Sequence, residues 1–127
     1  MIHNYLCNFD EKGYLLGFAA ADGQSGENIY TFDGSQILTG FTNAYHAVDG
    51  QLVRDEERFE VLSEIYKKEN EIRVLKSQLT ETDYIWNVIK EGDHDEEYYK
   101  DIIADRHAWR LRVRELEKEI EELKKKL

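Results

Sequence analysis

The stretch "DHDEE" at 93–97 sets one imidazole, His94, among four carboxylates. Oxygen and nitrogen donors so crowded suit a divalent cation, and on a helix His94, Glu97 and Asp101 would share a face. A helix beginning here accounts for the same residues without a metal, because carboxylates are stabilising in a first turn. The other histidines, His3, His46 and His107, are far apart in sequence. Carboxylate pairs of the glycosidase kind need a concave, partly dry cleft to separate their two pKa values, and a chain of this size builds one with difficulty. Ser25, Ser35, Ser63 and Ser77 lack the GxSxG elbow of a nucleophilic serine. Cys7 falls in a strand pattern, where a lone cysteine reads as a small core residue. "DGQSGEN" has two glycines but neither a lysine nor a following helix, so it is no phosphate loop. The expectation is a non-enzyme with no catalytic residue, cofactor or metal.

Aromatic residues offer binding chemistry instead. Tyr84, Trp86, Tyr98, Tyr99 and Trp109 suit either a sugar-stacking platform or the cap of a thin helical core, with packing the favoured reading. Tyr5, Tyr14, Phe18, Tyr30, Phe32, Phe41 and Tyr45 lie in the first half and are expected to divide between a core face and an outer face. A carbohydrate contact there would use the outer face or the 22–28 loop.

The elements that position these residues follow from a change of grammar near Val53. Seven of the eight glycines precede it, and 16 of the 17 basic residues follow it. "NYLCNF" and "YLLGFAAA" flank the hairpin connection "DEKG", with Gly13 suited to a left-handed position. "NIYTF", the turn "DGSQ", "ILTGF" and the Asp49-Gly50 turn inside "AYHAVDGQLV" complete five or six short strands in antiparallel meander order. The polar, glycine-rich loop "ADGQSGEN" interrupts them. A meander of about fifty residues is marginal by itself and needs cover from a helix or another copy. We therefore expect an α+β chain: an antiparallel β-domain over 1–53, then a helical section over 55–127.

In that section "DEERFEVLSEIYKKENEIRVLKSQL" carries a seam of Leu62, Ile65, Ile72, Leu75 and Leu79, with Asp55, Glu56 and Glu57 in its first turn. A short helix follows, with Thr82 or Asp83 as N-cap and Gly92 as its stop. The last helix is expected from about Glu96 to Leu127, opened by a box-like Asp93–Glu96 pair and closed by Lys124, Lys125 and Lys126.

That last helix shows a narrow ridge: Trp109, Val113, Leu116, Ile120, Leu123 and Leu127 at alternating steps of three and four. A two-in-seven seam is coiled-coil grammar. With Val113, Ile120 and Leu127 at a and Trp109, Leu116 and Leu123 at d, a parallel dimer is favoured. Arg112 would then face Glu117 of a sister chain, and Glu119 would face Lys124. Arg106, at an a position, would weaken the seam or fix its register. The rival is a hairpin in which 55–79 folds back antiparallel on 96–127. Both readings stay open, and a homo-oligomer, dimer or trimer, is the expected partner state.

The net charge is −10 over 127 residues. It argues against nucleic acid and anionic membranes as partners, since both are held by clustered Lys and Arg. A single cysteine excludes an intrachain disulfide and a thiolate zinc site. The start lacks signal-peptide grammar and no run reaches membrane-spanning length, so the expectation is a chain made in the cytoplasm.

Three stretches carry a resemblance. "YLCNFDEKGYLLGF", "AVDGQLVRDEE" and "LTETDYIWNVIKEGDHDEEYYKDIIADRHAWRLRVRELE" are similar to small tail-tip or baseplate-region structural proteins of long-tailed phages and prophages of Gram-positive bacteria. The resemblance implies a virion component, often trimeric, that docks on other tail or baseplate proteins after synthesis in the host cytoplasm. The end "EKEIEELKKKL" is a longer coiled-coil ending than the family pattern. Alternatives in other classes are a host-wall polysaccharide-binding module on a stalk, a tail-assembly chaperone, and a small metal-dependent hydrolase.

Overall fold

The computed structural model describes residues 1–38 and 40–127. It is α+β, an antiparallel β-domain followed by helices, as expected. The chain divides into two compact units, Met1–Ser63 and Glu64–Leu127.

The first unit holds β1 (Ile2–Phe9), β2 (Leu15–Ala20), β3 (Ile29–Asp33), β4 (Tyr45–Val48), β5 (Gln51–Arg54) and the first turns of α1 (Glu56–Glu81). β1 lies between β2 and β3, and β4–β5 is a separate hairpin. The loop 21–28 carries the chain across so that β3 pairs with β1, Tyr5 opposite Tyr30 and His3 opposite Phe32. Both tight turns follow their residue types. Gly13 has φ +91°, and Asp49 and Gly50 have φ +51° and +78°, the doubly left-handed turn that matches strand twist. Of the expected strand "ILTGF", the described residues Ile37, Leu38, Gly40 and Phe41 lie in no strand, and single 3₁₀ turns, Gly34–Gln36 and Thr42–Ala44, flank them. Asp33 starts the first by accepting from the Ser35 backbone N–H at 3.0 Å. Thr39, within that stretch, lies outside the described residues.

Alternation in β1 sends Cys7 into a core with Leu15, Ala44 and Tyr45. Tyr5, Phe18 and Phe32 interlock around it, with centroids 4.5–5.3 Å apart. Phe59 and Leu62 of α1 pack on the same core. The boundary expected near residue 53 therefore moves to 63, because so small a sheet recruits two helical turns to cover itself. It also removes Leu62 from the seam of the first helix. Of the seven rings, Tyr5, Phe18, Tyr30, Phe32 and Tyr45 belong to or pack on this core, and none of the seven is among the exposed large hydrophobics of the unit's described residues, which are Met1 and the aliphatic Ile2, Leu6, Leu16, Leu38, Val48 and Val53.

The second unit contains α1 from Glu64, α2 (Tyr84–Glu91) and α3 (Lys100–Lys124). Gly92 ends α2 in the left-handed conformation, φ +84°, its N–H returning to the Ile89 carbonyl. α3 begins four residues later than expected and stops at Lys124. Residues 96–99 form a turn instead, and its cap is Asp95, which accepts from the Tyr98 N–H at 3.0 Å. Asp93 and Glu96 make no capping box. Among the described residues no helix is long and apolar enough to cross a membrane.

Candidate functional site

α3 runs antiparallel to α1. Lys68 meets Glu119 at 3.2 Å, Glu71 meets Arg112 at 2.8 Å, and the Leu79 carbonyl accepts from Arg106 at 2.6 Å. As the α1 number rises the α3 number falls, so one register is maintained over more than ten residues. This arrangement settles how the ridge is used in the single chain. Val113, Leu116 and Ile120 are 7, 1 and 7% exposed, while Trp109, Leu123 and Leu127 are half-buried. On α1, Ile65 is buried and Ile72, Leu75 and Leu79 are half-buried. The ridge expected to await sister copies is thus covered by the chain's own α1, and its flanking charges are paired in cis. Arg112 takes Glu71 and Glu115 in place of a partner's Glu117, and Glu119 takes Lys68 in place of a partner's Lys124. A two-in-seven seam needs one complementary seam, and the nearest one is tethered to it.

Arg106 is 1% exposed and fixes the register, within one chain. Its Nη1 donates to the Leu79 carbonyl and to Thr82 Oγ1 at 2.6 and 2.5 Å, and its Nη2 donates to Asp83 Oδ1 at 2.7 Å. One guanidinium thereby caps the last turn of α1 and holds the residues that open α2. Asp83 precedes α2 but gives it no side-chain cap bond; its carboxylate is committed to Arg106. Among the described residues only Nε of Arg106 is a buried side-chain nitrogen or oxygen without a partner.

A polar network in the first unit was not singled out from the sequence. Asp10 accepts from the backbone N–H of Lys12 and Tyr14 and from Asn43 Nδ2, at 3.0, 2.9 and 3.1 Å. Tyr14 donates its hydroxyl to Asp55 at 2.7 Å and stacks on His46, with centroids 5.3 Å apart. Asp55 is the N-cap of α1, accepting from the Arg58 N–H at 3.1 Å. Arg58 lies 3.9 Å over the Tyr14 ring and donates to both the backbone and side-chain oxygens of Asn43. The hydrogen bond from Tyr14, then that from the Arg58 N–H, holds the Asp55 carboxyl below its usual range. The Tyr14 phenol is raised, chiefly by the same bond. Hydrogen bonds from the Tyr14 N–H and the Asn43 side chain depress Asp10 likewise. These groups face one another across a hairpin, a 3₁₀ turn and a helix start, and their chemistry is that of a clamp. The legible signal was Asp55 before an acidic first turn; what joins it to Asp10 and Tyr14 is long-range pairing.

The residues of "DHDEE" serve a turn. Asp95 caps it, Glu97 pairs with Lys100 at 3.0 Å, and His94 stacks on Tyr98. Among the described residues no three His, Cys, Asp or Glu side chains converge as a cation site. Cys7 is 1% exposed and burial raises its thiol pKa.

What this end of the second unit displays is aromatic. Tyr99 and Ile85 are buried, and burial followed by the neighbouring Tyr84, Tyr98 and Asp93 raises the Tyr99 phenol. Around them Tyr84, Trp86 and Tyr98 are 53, 39 and 64% exposed. The packing reading holds for Tyr99 and in part for Trp109; the other three rings present much of their surface to solvent. No family model matches the chain, and neither a curated protein nor a solved structure matches it at a significant level.

Proposed function

We propose that the chain is a non-catalytic structural protein of a phage tail or baseplate, docking on neighbouring virion proteins through the aromatic end of its helical unit. The observation that carries this reading is the exposure of Tyr84, Trp86 and Tyr98 within one short span, since large amphipathic rings are the side chains that anchor interfaces. The three sequence stretches similar to tail-tip and baseplate proteins supply the biological setting. Self-assembly through the helices takes a narrower form than the ridge alone suggests. Because Val113, Leu116 and Ile120 are already covered, sister copies pair through them only by exchanging α3, each ridge then lying on the partner's α1.

Mass spectrometry of gradient-purified particles tests the proposal. Recovery at a stoichiometry fixed relative to the tail supports it. Abundance in the lysate with absence from particles refutes it in favour of an assembly chaperone. A host-wall polysaccharide-binding module is the second reading, favoured by the same exposed tyrosines, whose faces suit sugar rings. Retention of the purified protein on cell-wall glycan, lost in a Tyr84→Ala/Tyr98→Ala variant, would replace the first reading with the second.

A further inference from the structure

We infer that the aromatic end of the helical unit receives a cationic segment of a partner protein, an Arg or Lys side chain seating on the open face of Tyr98. The inference rests on the docking reading above and adds the chemistry of what docks. His94 lies parallel to Tyr98 with centroids 3.8 Å apart, and Tyr99 meets Tyr98 edge-to-face at 4.8 Å. The His94–Tyr99 distance is 5.9 Å, so the three centroids form a near right angle at Tyr98. Tyr99 therefore stands beside the stack, and His94 covers one face of the Tyr98 ring. Tyr98 is still 64% exposed, and with His94 over one face that exposure falls to the other.

An aromatic face is the negative lobe of the ring quadrupole and attracts cations. The flanking sequence strengthens that preference: Glu91, Asp93, Asp95, Glu96 and Glu97 place five carboxylates within seven residues. Lys100 is paired with Glu97. The negative field here is felt by Tyr99, whose phenol Asp93 helps to raise. An anionic partner is repelled by this surface. A purely apolar one would desolvate carboxylates with nothing to pair them. A sugar would use the ring and leave the acids idle. A guanidinium or ammonium group uses both.

The probe is a blocked tetra-arginine peptide titrated into the ¹⁵N-labelled full chain, with tetra-glutamate and an N-acetylglucosamine oligomer as parallel arms. We expect amide shifts confined to residues 93–100 and neighbouring Tyr84, with the arginine peptide alone. Affinity should fall roughly two- to fivefold in Tyr98→Ala, the scale of one exposed cation–π contact, and be retained in Tyr98→Phe. It should also weaken between 50 and 300 mM salt as screening shortens. Circular dichroism checks that the exposed Tyr98 is replaced without loss of fold. Shifts scattered over all acidic surfaces, or undiminished in Tyr98→Ala, overturn the inference, as does a response to the sugar alone. Incorporation of Tyr84→Ala/Tyr98→Ala into particles separates the two levels. Normal incorporation means the docking reading has failed; impaired incorporation without an arginine response means only the cationic chemistry has.

Discussion

Replacing Arg106 in three ways separates what its stem contributes from what its charge contributes. Arg106→Ala removes the packed stem of a side chain that is 1% exposed. Alanine keeps Cβ, so two methylenes are lost, and at about 0.8 kcal/mol each they give about 1.6 kcal/mol. The polar loss is smaller than three hydrogen bonds suggest. Leu79 O keeps Thr82 as a donor, through both N–H and hydroxyl at 3.3 and 3.2 Å. The Asp83 side chain is 61% exposed and rehydrates. One charge-assisted bond's worth, about 1.5 kcal/mol, is a fair allowance. The alanine variant should therefore lose about 3 kcal/mol of the 5–15 kcal/mol typical of a domain. Arg106→Met keeps the stem and loses only the polar contacts, so it should lose about 1.5 kcal/mol. Arg106→Lys keeps a compact, strongly hydrated charge in a dry site with reach for fewer acceptors. It should be worse than methionine, by about 1 kcal/mol.

Urea unfolding followed by tryptophan fluorescence is the assay, because both tryptophans, Trp86 and Trp109, belong to the helical unit. The expected order of midpoints is arginine, methionine, lysine, alanine. A lysine variant as stable as the parent, with methionine as damaging as alanine, would show that the buried charge itself stabilises the unit and would refute the reasoning.

In the first unit, Tyr14→Phe removes the 2.7 Å bond to Asp55 and should cost about 1–2 kcal/mol by thermal unfolding. The same clamp gives the unit an acid limit. Asp10 and Asp55 are depressed in the folded chain, and Asp33 is lowered to about 2 by Ser35 and then the N-terminal ammonium. Their stabilisation is complete above the unfolded carboxylate pKa of about 3.9 and is lost as pH falls through the folded values. Circular dichroism should show the loss between about pH 4 and 2, and the Asp33→Asn variant should lose the lowest part of that dependence. Gly92→Ala meets no atom within 4 Å but forces φ +84° on a residue with a Cβ. A loss of about 1 kcal/mol is expected in the tryptophan-detected transition. Leu116→Ala should cost about 3 kcal/mol, and the thermal midpoint of the parent should not move with protein concentration if the ridge is buried in cis. A midpoint that climbs with concentration would identify exchange of α3 between copies.

Much of the fold was legible because it is written locally. Gly13, Gly92 and the Asp49-Gly50 pair name their own backbone conformations, and the helices announce themselves by period and by charged first turns. "ILTGF" misled because three apolar residues in five mimic a strand, while the chain to either side of them makes 3₁₀ turns, the first begun by Asp33. The start of α3 was misplaced for a similar reason: several acids stand near it, and which one caps depends on where Tyr98 and Tyr99 pack. The clamp of Asp10, Tyr14, Asn43 and Arg58 about Asp55 was invisible, since Tyr14 and Asp55, which bond to each other, stand 41 residues apart along the chain. No periodicity links them.

The ridge shows a deeper limit. Alternating steps of three and four specify that a helix needs one narrow partner, and they say nothing about whether that partner is covalently attached. Two other features of the sequence decide it. Leu79 and Arg106 sit at matching levels on either side of a segment long enough for α2, so the carbonyls at the end of α1 can be reached by a guanidinium on α3. Lys68 and Glu71 then fall opposite Glu119 and Arg112, each pair attractive. Exposed pairs of this kind add only about 0–1 kcal/mol apiece. They do fix direction, because a parallel sister chain would bring its own Arg106, a like charge, against Arg106. A seam with a buried Arg and a carbonyl-rich helix end within one loop of it is therefore a signature of closure in cis.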